Sequence, residues 1–546
     1  MIFDKNFDLD FTGGELVLGL VAPVGIDLDI VTAKLKLYLE QYSYKVITVH
    51  VSQLASEFFP NRPTPKTQLD RIQDSMELCS KLRKEYERND FFSLSAIDFI
   101  AKNRPKDDLK YRTAYIIRSL KHPDEVDTLK KVYAHGFYLI GITASQHTRL
   151  EHLRHGLDIR DNRKSLELIE KDNSEETKYG QNTRDVFHNA DVFIDLDDNE
   201  WDKSIARFTD LIFGNPLITP TANEHAMFMA YMASVRSGDL SRQVGAVITN
   251  SYYDVIALGA NDVPKFGGGQ YWPGSHDMRD LSKEIDPNEQ RRNEIILNVL
   301  NAIEHNSLNE ESNCSHTEEE KNEDKIARGK ELLKDTGILD LTEYGRAVHA
   351  EMEALLSAAR NGTAVRGATL FTTTFPCHNC AKHIIAAGIT KVRYIEPYPK
   401  SYAQALHNDS IDVNPIDHEE KEPRKVIFEP FVGIGPRRYL DLFSMALGSG
   451  GKIKRKLNGQ AIKWYRVDKS PRVSLQKNNY IHNEDQYCSF FKEFIKDKSN
   501  DHSNDPICKK CKSIMVRRIS TKGISKGKSF WGCSKYPHCQ YSETIQ

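Results

Sequence analysis

Residues 346–380, RAVHAEMEALLSAARNGTAVRGATLFTTTFPCHNC, hold the side chains best suited to chemistry. His349 is followed two positions later by Glu351, and Pro376 precedes a C-x2-C pair, Cys377 and Cys380. One imidazole and two thiolates make three ligands, the number expected of a catalytic zinc that leaves its fourth position to water. Two thiolates and a neutral imidazole also cancel the charge of Zn2+. The metal is then more electrophilic than in a four-thiolate site, and its water ionises near neutral pH. Glu351 is free of ligand duty and suited to carrying protons. A structural zinc, or a chance cysteine pair, is the plainer alternative.

These residues need elements to hold them. Ala350, Met352 and the run Ala354-Leu355-Leu356 predict a helix starting near His349. The β-branched run ATLFTTT (368–374) predicts a strand, and residues 377–385 predict a second helix. Cys377 and Cys380 then share one face of that helix's first turn, where unpaired N–H groups favour thiolate over thiol.

Composition bounds the rest. A chain of 546 residues calls for several domains. With 39% hydrophobic and 28% charged residues the composition is that of an ordinary soluble protein, and a net charge of −2 excludes a uniformly basic coat for nucleic acid. The longest apolar run, Leu16 to Ile26, is too short to span a bilayer, so no membrane partner is expected. The opening MIFDKNFDLD is acidic and lacks a signal-peptide n-region. Six of the nine cysteines fall into C-x2-C or C-x5-C groups, while Cys79, Cys314 and Cys488 stand alone. That pattern implies metal thiolates in a reducing cytoplasm.

Residues 15–52 read as strand, glycine loop, helix, strand, the opening of a phosphate-binding βαβ unit. A working P-loop would carry Lys and Ser/Thr after Gly25, where this chain has Ile26 and Asp27. Leu20 stands where the first glycine belongs, and Gly19 comes one residue early. Gly19 and Gly25 are therefore weak candidates for binding a regulatory nucleotide without hydrolysis, against a scaffold that binds none. Arg118, Lys121 and His122 cluster further on, and Arg184 and Asp185 suit a solvated helix face. The segment nevertheless resembles the P-loop kinase-like domain fused to some bacterial deoxycytidylate deaminases.

Pro216 and Pro220 mark a boundary, after which helix, hairpin, His349 helix, strand, Cys377 helix and strand follow in turn. The pair H-x-E and P-C-x-x-C resembles the zinc nucleobase deaminase signature. RSGDLSRQVGAVI and Gly259-Ala260-Asn261 are similar to the corresponding blocks of dCMP deaminases. The resemblance implies that Asn261 binds the sugar 3′-hydroxyl and that Ala350 borders the base, against an Asn that merely ends a strand. Lys400, Arg437 and Arg438 fall where such enzymes approach the substrate phosphate; a surface basic pair is the alternative for the two arginines. An insertion at about 264–338 includes an acidic stretch (305–324) expected to be a mobile surface segment, in which His305, Cys314 and His316 are a weak second metal candidate. Over residues 13–465 the chain resembles anti-phage dCTP deaminases.

Cys508, Cys511, Cys533 and Cys539 form C-x2-C…C-x5-C, a closed structural zinc site resembling the ribbons of bacterial type I topoisomerases. From 505 to 546, seven Lys and two Arg face two acids, with Phe530, Trp531 and Tyr536 among them. Such a segment suits single-stranded nucleic acid, or else serves as a solubilising tail. The expected fold class is α/β: a degenerate P-loop kinase-like unit (1–213), a cytidine-deaminase-like α/β/α sandwich (214–480), a linker (481–504) and a zinc ribbon (505–546). The expected function is zinc-dependent deamination of a deoxycytidine nucleotide, dCTP first and dCMP second, in a cytoplasmic homo-oligomer holding one catalytic and one structural zinc, to deprive a phage of dCTP. The rival readings are a deaminase of polynucleotide cytosine or adenine, and a nucleotide sensor without activity.

Overall fold

The computed structural model describes residues 14–59, 65–105, 112–173, 179–306, 318–334, 336–341, 343–398, 401–413, 424–450, 452–467, 469–473, 477–503, 508–513, 515–519, 529–533 and 539–544. No described helix is long and apolar enough to cross a membrane.

A first sheet takes β1 (Leu16–Val21), β2 (Lys45–His50), β3 (Thr113–Arg118), β4 (Phe137–Thr143) and β5 (Val192–Asp195) in the order β2-β3-β1-β4-β5, all parallel. Parallel strands are buried on both faces, which is why β1 is apolar throughout instead of alternating. Its Val17 and Val21 enter one core, and Leu16, Leu18 and Leu20 enter the other.

The loop after β1 departs from the phosphate-binding expectation. Asp27 caps the helix Leu28–Glu40, its Oδ1 accepting from Asp29 N at 2.9 Å and Ile30 N at 3.3 Å. Val24 N donates to the buried Asp172 at 2.8 Å, and Lys121 Nζ pairs with the other oxygen of that carboxylate at 2.7 Å. Three amides of this loop and helix start, those of Val24, Asp29 and Ile30, are thus held by the chain's own carboxylates. Gly19 is a packing glycine: a Cβ there would lie 2.6 Å from Leu120 Cδ1 and 2.8 Å from Phe137 Cζ. Packing accounts for Gly19, and Gly25, at φ +93°, makes the turn that leads into the helix.

A second sheet takes β6 (Gly245–Thr249), β7 (Val255–Ala260), β8 (Thr369–Thr374), β9 (Lys391–Glu396), β10 (Ile411–Val413) and β11 (Val426–Pro430) in the order β10-β11-β9-β8-β6-β7. β6 runs antiparallel to β7 and β8, and the other pairs are parallel. The helix Ala222–Ser234 packs Met227 and Ala230 with Val247 and Phe371 on one face. Helices Ala350–Arg360 and His378–Ala386 pack with Ala246, Ile248 and Leu370 on the other. This is the α/β/α layering expected. Gly259 makes the close approach possible: a Cβ there would sit 2.0 Å from Ala350 O.

The chain then returns to the first sheet. β12 (Gly433–Ile434) pairs antiparallel with β5, covering an edge that would otherwise stay open. After a small hairpin of β13 (Lys456–Leu457) and β14 (Gln460–Ala461), the helix Lys477–Ser503 occupies the stretch expected to be a linker. That expectation is corrected. Tyr480, Cys488 and Phe491 join the core of the first unit. Arg104 binds both Glu484 at 2.8 Å and Glu15 at 2.9 Å, and Tyr480 OH donates to Glu15 at 2.6 Å. β12 and this helix therefore pack with the first unit. β15 (Met515–Ile519), β16 (Ser529–Cys533) and β17 (Ser542–Thr544) form the last, three-stranded antiparallel sheet.

Candidate active site and metal centres

His349 and Cys377 each occupy the cap position of a helix, in extended backbone at φ −66° and −69°. Both helices sit on one face of the second sheet, so their N-termini bring the three candidate ligands together. His349 Nδ1 lies 3.3 Å from each of Cys377 Sγ and Cys380 Sγ. Cys377 Sγ also accepts from Cys380 N–H at 3.4 Å, and the three ligand atoms fall within 4.8 Å of one another.

The electrostatics point the same way. A hydrogen bond from Cys380, reinforced by one from His349, pulls the Cys377 thiol down to about 4. The hydrogen bond to Cys377 lifts His349 to about 9. Cys380 is pushed up, first by its bond to Cys377 and then by burial. The side chains alone thus support one thiolate and an imidazolium. A divalent cation among them replaces that proton and stabilises both thiolates, so the donor set fits zinc.

Glu351 is 4% exposed, with Oε2 3.5 Å from Cys380 Sγ. Burial raises its pKa, although the nearby His349 opposes this. A carboxyl held above its usual range can accept and return a proton near neutrality.

A cavity of about 320 Å3 opens beside this cluster and is lined by His349, Ala350, Glu351, Cys377 and Asn261. Asn261 lies where expected, with its amide tied to the chain: Oδ1 accepts from Val244 N at 2.7 Å and Nδ2 donates to Arg242 O at 2.9 Å. The basic residues expected to meet a phosphate lie elsewhere. Arg438 is 5% exposed and bonded to Asp191 of the first unit at 3.1 Å. Arg437 donates to Asn189 at 2.6 Å and lines a separate cavity of about 100 Å3 between the units. Both assignments are corrected. Lys400 lies outside the described residues, as do Cys314, His316 and the side chain of His305. The cations that do line the large cavity are Arg242, Arg292 and Arg346. Arg292 comes from the insertion, and no local spacing announces it.

Cys508, Cys511, Cys533 and Cys539 also converge, with their sulfurs within 4.8 Å of one another. Cys508 Sγ lies 3.7 Å from Cys539 Sγ, and Cys511 Sγ lies 3.3 Å from Cys533 Sγ. Hydrogen bonds from Ser513 pull Cys511 down to about 6. Four soft, ionisable sulfurs within reach of one ion fit a structural zinc. Trp531 packs against these sulfurs, which removes it from the set of freely exposed rings expected to stack on bases. Tyr536 lies outside the described residues.

Residues 220–396 match the cytidine and deoxycytidylate deaminase zinc-binding region. The deoxycytidylate deaminase of Enterobacteria phage T2 is 45% identical over 69 residues, which is 12% of this chain and 37% of that protein. The chain thus spans little more than a third of that relative's length. A probable deoxycytidylate deaminase of Drosophila melanogaster is 24% identical over 230 residues, 41% of this chain and 86% of the relative. The crystal structure of the apo dCMP deaminase of cyanophage S-TIM5 aligns at 18% identity with a TM-score of 0.20, covering 39% of this chain and all of that one. The zinc-binding match covers Asn261, His349, Glu351, Cys377 and Cys380, and ends at Glu396, the last residue of β9.

Proposed function

We propose that this chain is a zinc-dependent hydrolase that converts deoxycytidine nucleotides to deoxyuridine nucleotides, with dCTP as its main substrate and dCMP as a second. The observation that carries the reading is a single cavity bordered by two of the three metal ligands, His349 and Cys377, and by the buried Glu351.

Zinc held by His349, Cys377 and Cys380 supplies the Lewis acidity that lets water ionise at neutral pH. Glu351 receives the proton released by the water that adds to C4 of the cytosine. It delivers that proton to N3 and then carries the second, from the hydroxyl newly on C4, to the amino group, so that the C4–N bond breaks, ammonia leaves and the C4 carbonyl of uracil remains. The tied amide of Asn261 fixes residues 242–244 against the end of β7, and its remaining lone pair and N–H are the polar groups offered to the sugar. The second zinc, on the four C-terminal thiolates, is structural, and a basic ribbon of this kind suits a single-stranded nucleic acid partner. Consumption of dCTP would deprive a phage polymerase, the role that the family resemblance suggests. The N-terminal unit enters this reading as a scaffold.

The test is to incubate the purified protein with dCTP, dCMP, CTP and a cytosine-containing oligonucleotide and to follow uracil by chromatography. Glu351→Gln should lower turnover by about 10²- to 10⁴-fold while both zinc ions stay bound. Loss of a zinc equivalent in that variant, or conversion of the oligonucleotide alone, would overturn the assignment.

A further inference from the structure

The segment between β7 and the His349 helix folds back over the catalytic cavity. Its helix Pro287–Asn306 carries Asn288 and Arg292, one turn apart on one face, and both line the cavity. Arg292 Nη1 is anchored on Leu339 O at 2.8 Å, and Asn288 Nδ2 on Leu341 O at 2.9 Å. These two anchors fix the side chains while Arg292 Nε and Asn288 Oδ1 are enclosed by the chain, so what the pair can offer the cavity is the terminal N–H groups of the guanidinium and of the amide. What Arg292 brings to the cavity wall is a positive charge held in place by a single carbonyl.

The acids on the same walls are already engaged. Asp239 accepts from the amides of Ser241 and Arg242 at 2.9 and 3.2 Å, and Asp286 from those of Asn288 and Glu289 at 2.9 and 3.1 Å. Asp280 pairs with Arg346 at 2.7 Å, and Arg242 is paired at 3.3 Å with Glu396, which lies off these walls. Arg292 is therefore the lining cation for which, among the described residues, no carboxylate partner is found. Its planar fork, held from one side by a carbonyl, suits an anionic oxygen group.

We infer that Arg292, with Asn288 beside it, is the phosphate-recognition element of the cavity, and that the inserted segment makes the site select nucleotides over nucleosides. The inference rests on the deaminase reading for the identity of the base, but not for the anion.

The test uses the full-length zinc protein and two variants, Arg292→Gln and Arg292→Lys. Initial rates are measured on deoxycytidine, dCMP and dCTP, and the binding of inorganic tripolyphosphate is followed by calorimetry. Arg292→Gln should raise KM for dCMP and dCTP by about ten-fold or more, while deoxycytidine turnover and zinc content stay within about two-fold of wild type. It should also lose tripolyphosphate binding, and Arg292→Lys should restore part of both. Unchanged nucleotide KM, an equal loss on deoxycytidine, or tripolyphosphate binding that ignores Arg292 would each overturn the inference. If the wild type deaminates nothing yet binds tripolyphosphate through Arg292, the deaminase reading fails and this one stands.

Discussion

Replacing Arg438 by Met separates a structural tie from a substrate contact. The guanidinium is buried, with Nε 3.1 Å from Asp191 Oδ1 and Nη1 3.2 Å from His135 O and 3.4 Å from Asp441 Oδ2; Nη2 also bonds Phe137 O. It stacks over Tyr138, 4.6 Å from the ring centroid. Methionine keeps much of the aliphatic volume and removes the charge. Asp191, 2% exposed, then keeps Leu139 N–H at 2.8 Å but loses its cation. Stranding one member of a buried pair costs about 3–5 kcal/mol, a large part of the ~5–15 kcal/mol that holds a domain folded. With a urea slope of about 3 kcal/mol per molar for a unit of this size, the midpoint should fall by about 1–1.7 M. Urea titration by circular dichroism reads that shift, and KM for dCTP, measured below the transition, should stay within about two-fold of wild type. An unchanged midpoint together with a tenfold rise in KM would refute the argument and return Arg438 to the substrate.

Three further outcomes follow from the geometry. Gly259→Ala places a Cβ 2.0 Å from Ala350 O and 2.5 Å from Ala354 N, so the helix bearing His349 and Glu351 must shift; zinc analysis should show the catalytic equivalent reduced and turnover lost, and wild-type values for both would mean that this approach does not position the ligands. Cys508→Ser should release one of two zinc ions and unfold the C-terminal sheet while leaving dCTP deamination intact; a matching loss of activity would join the ribbon to the catalytic unit. His122 caps the helix Pro123–Tyr133 through Nδ1, which accepts from Asp124 N at 3.2 Å, and burial lowers its pKa from the ordinary 6.5. The fold favours the neutral ring, so this contribution is present above pH 6.5 and is lost as pH falls through the lower folded value. Melting at pH 7.5 and 5.5 should show a smaller acid loss in His122→Asn than in wild type, and an equal loss would dismiss the cap.

What could be read from the sequence was set by how local each interaction is. Cys377 and Cys380 are three residues apart and His349 begins its own helix, so type and spacing alone assemble most of a metal site. The Gly-Pro-Arg-Arg run at 435–438 has the composition of an anion-binding turn, yet Arg438 is claimed by Asp191, 247 residues earlier in the chain. The stretch after Tyr480 looked like a linker because it is polar on average, although Tyr480, Cys488, Phe491 and Ile495 keep a helical stripe toward the first unit. Glu484 interrupts that stripe, and its burial is made tolerable by distant partners, Arg104, 380 residues away, and Tyr133, whose hydroxyl donates to it at 2.8 Å. Arg292 is the converse case. Nothing around it in sequence distinguishes it from the other charged residues of its helix, and its importance comes from the fold's placing it on the wall of the cavity that His349 and Cys377 also line. Its guanidinium borders the cavity with no carboxylate partner among the described residues, which is why the site's specificity has to be sought in tertiary placement and not in a motif.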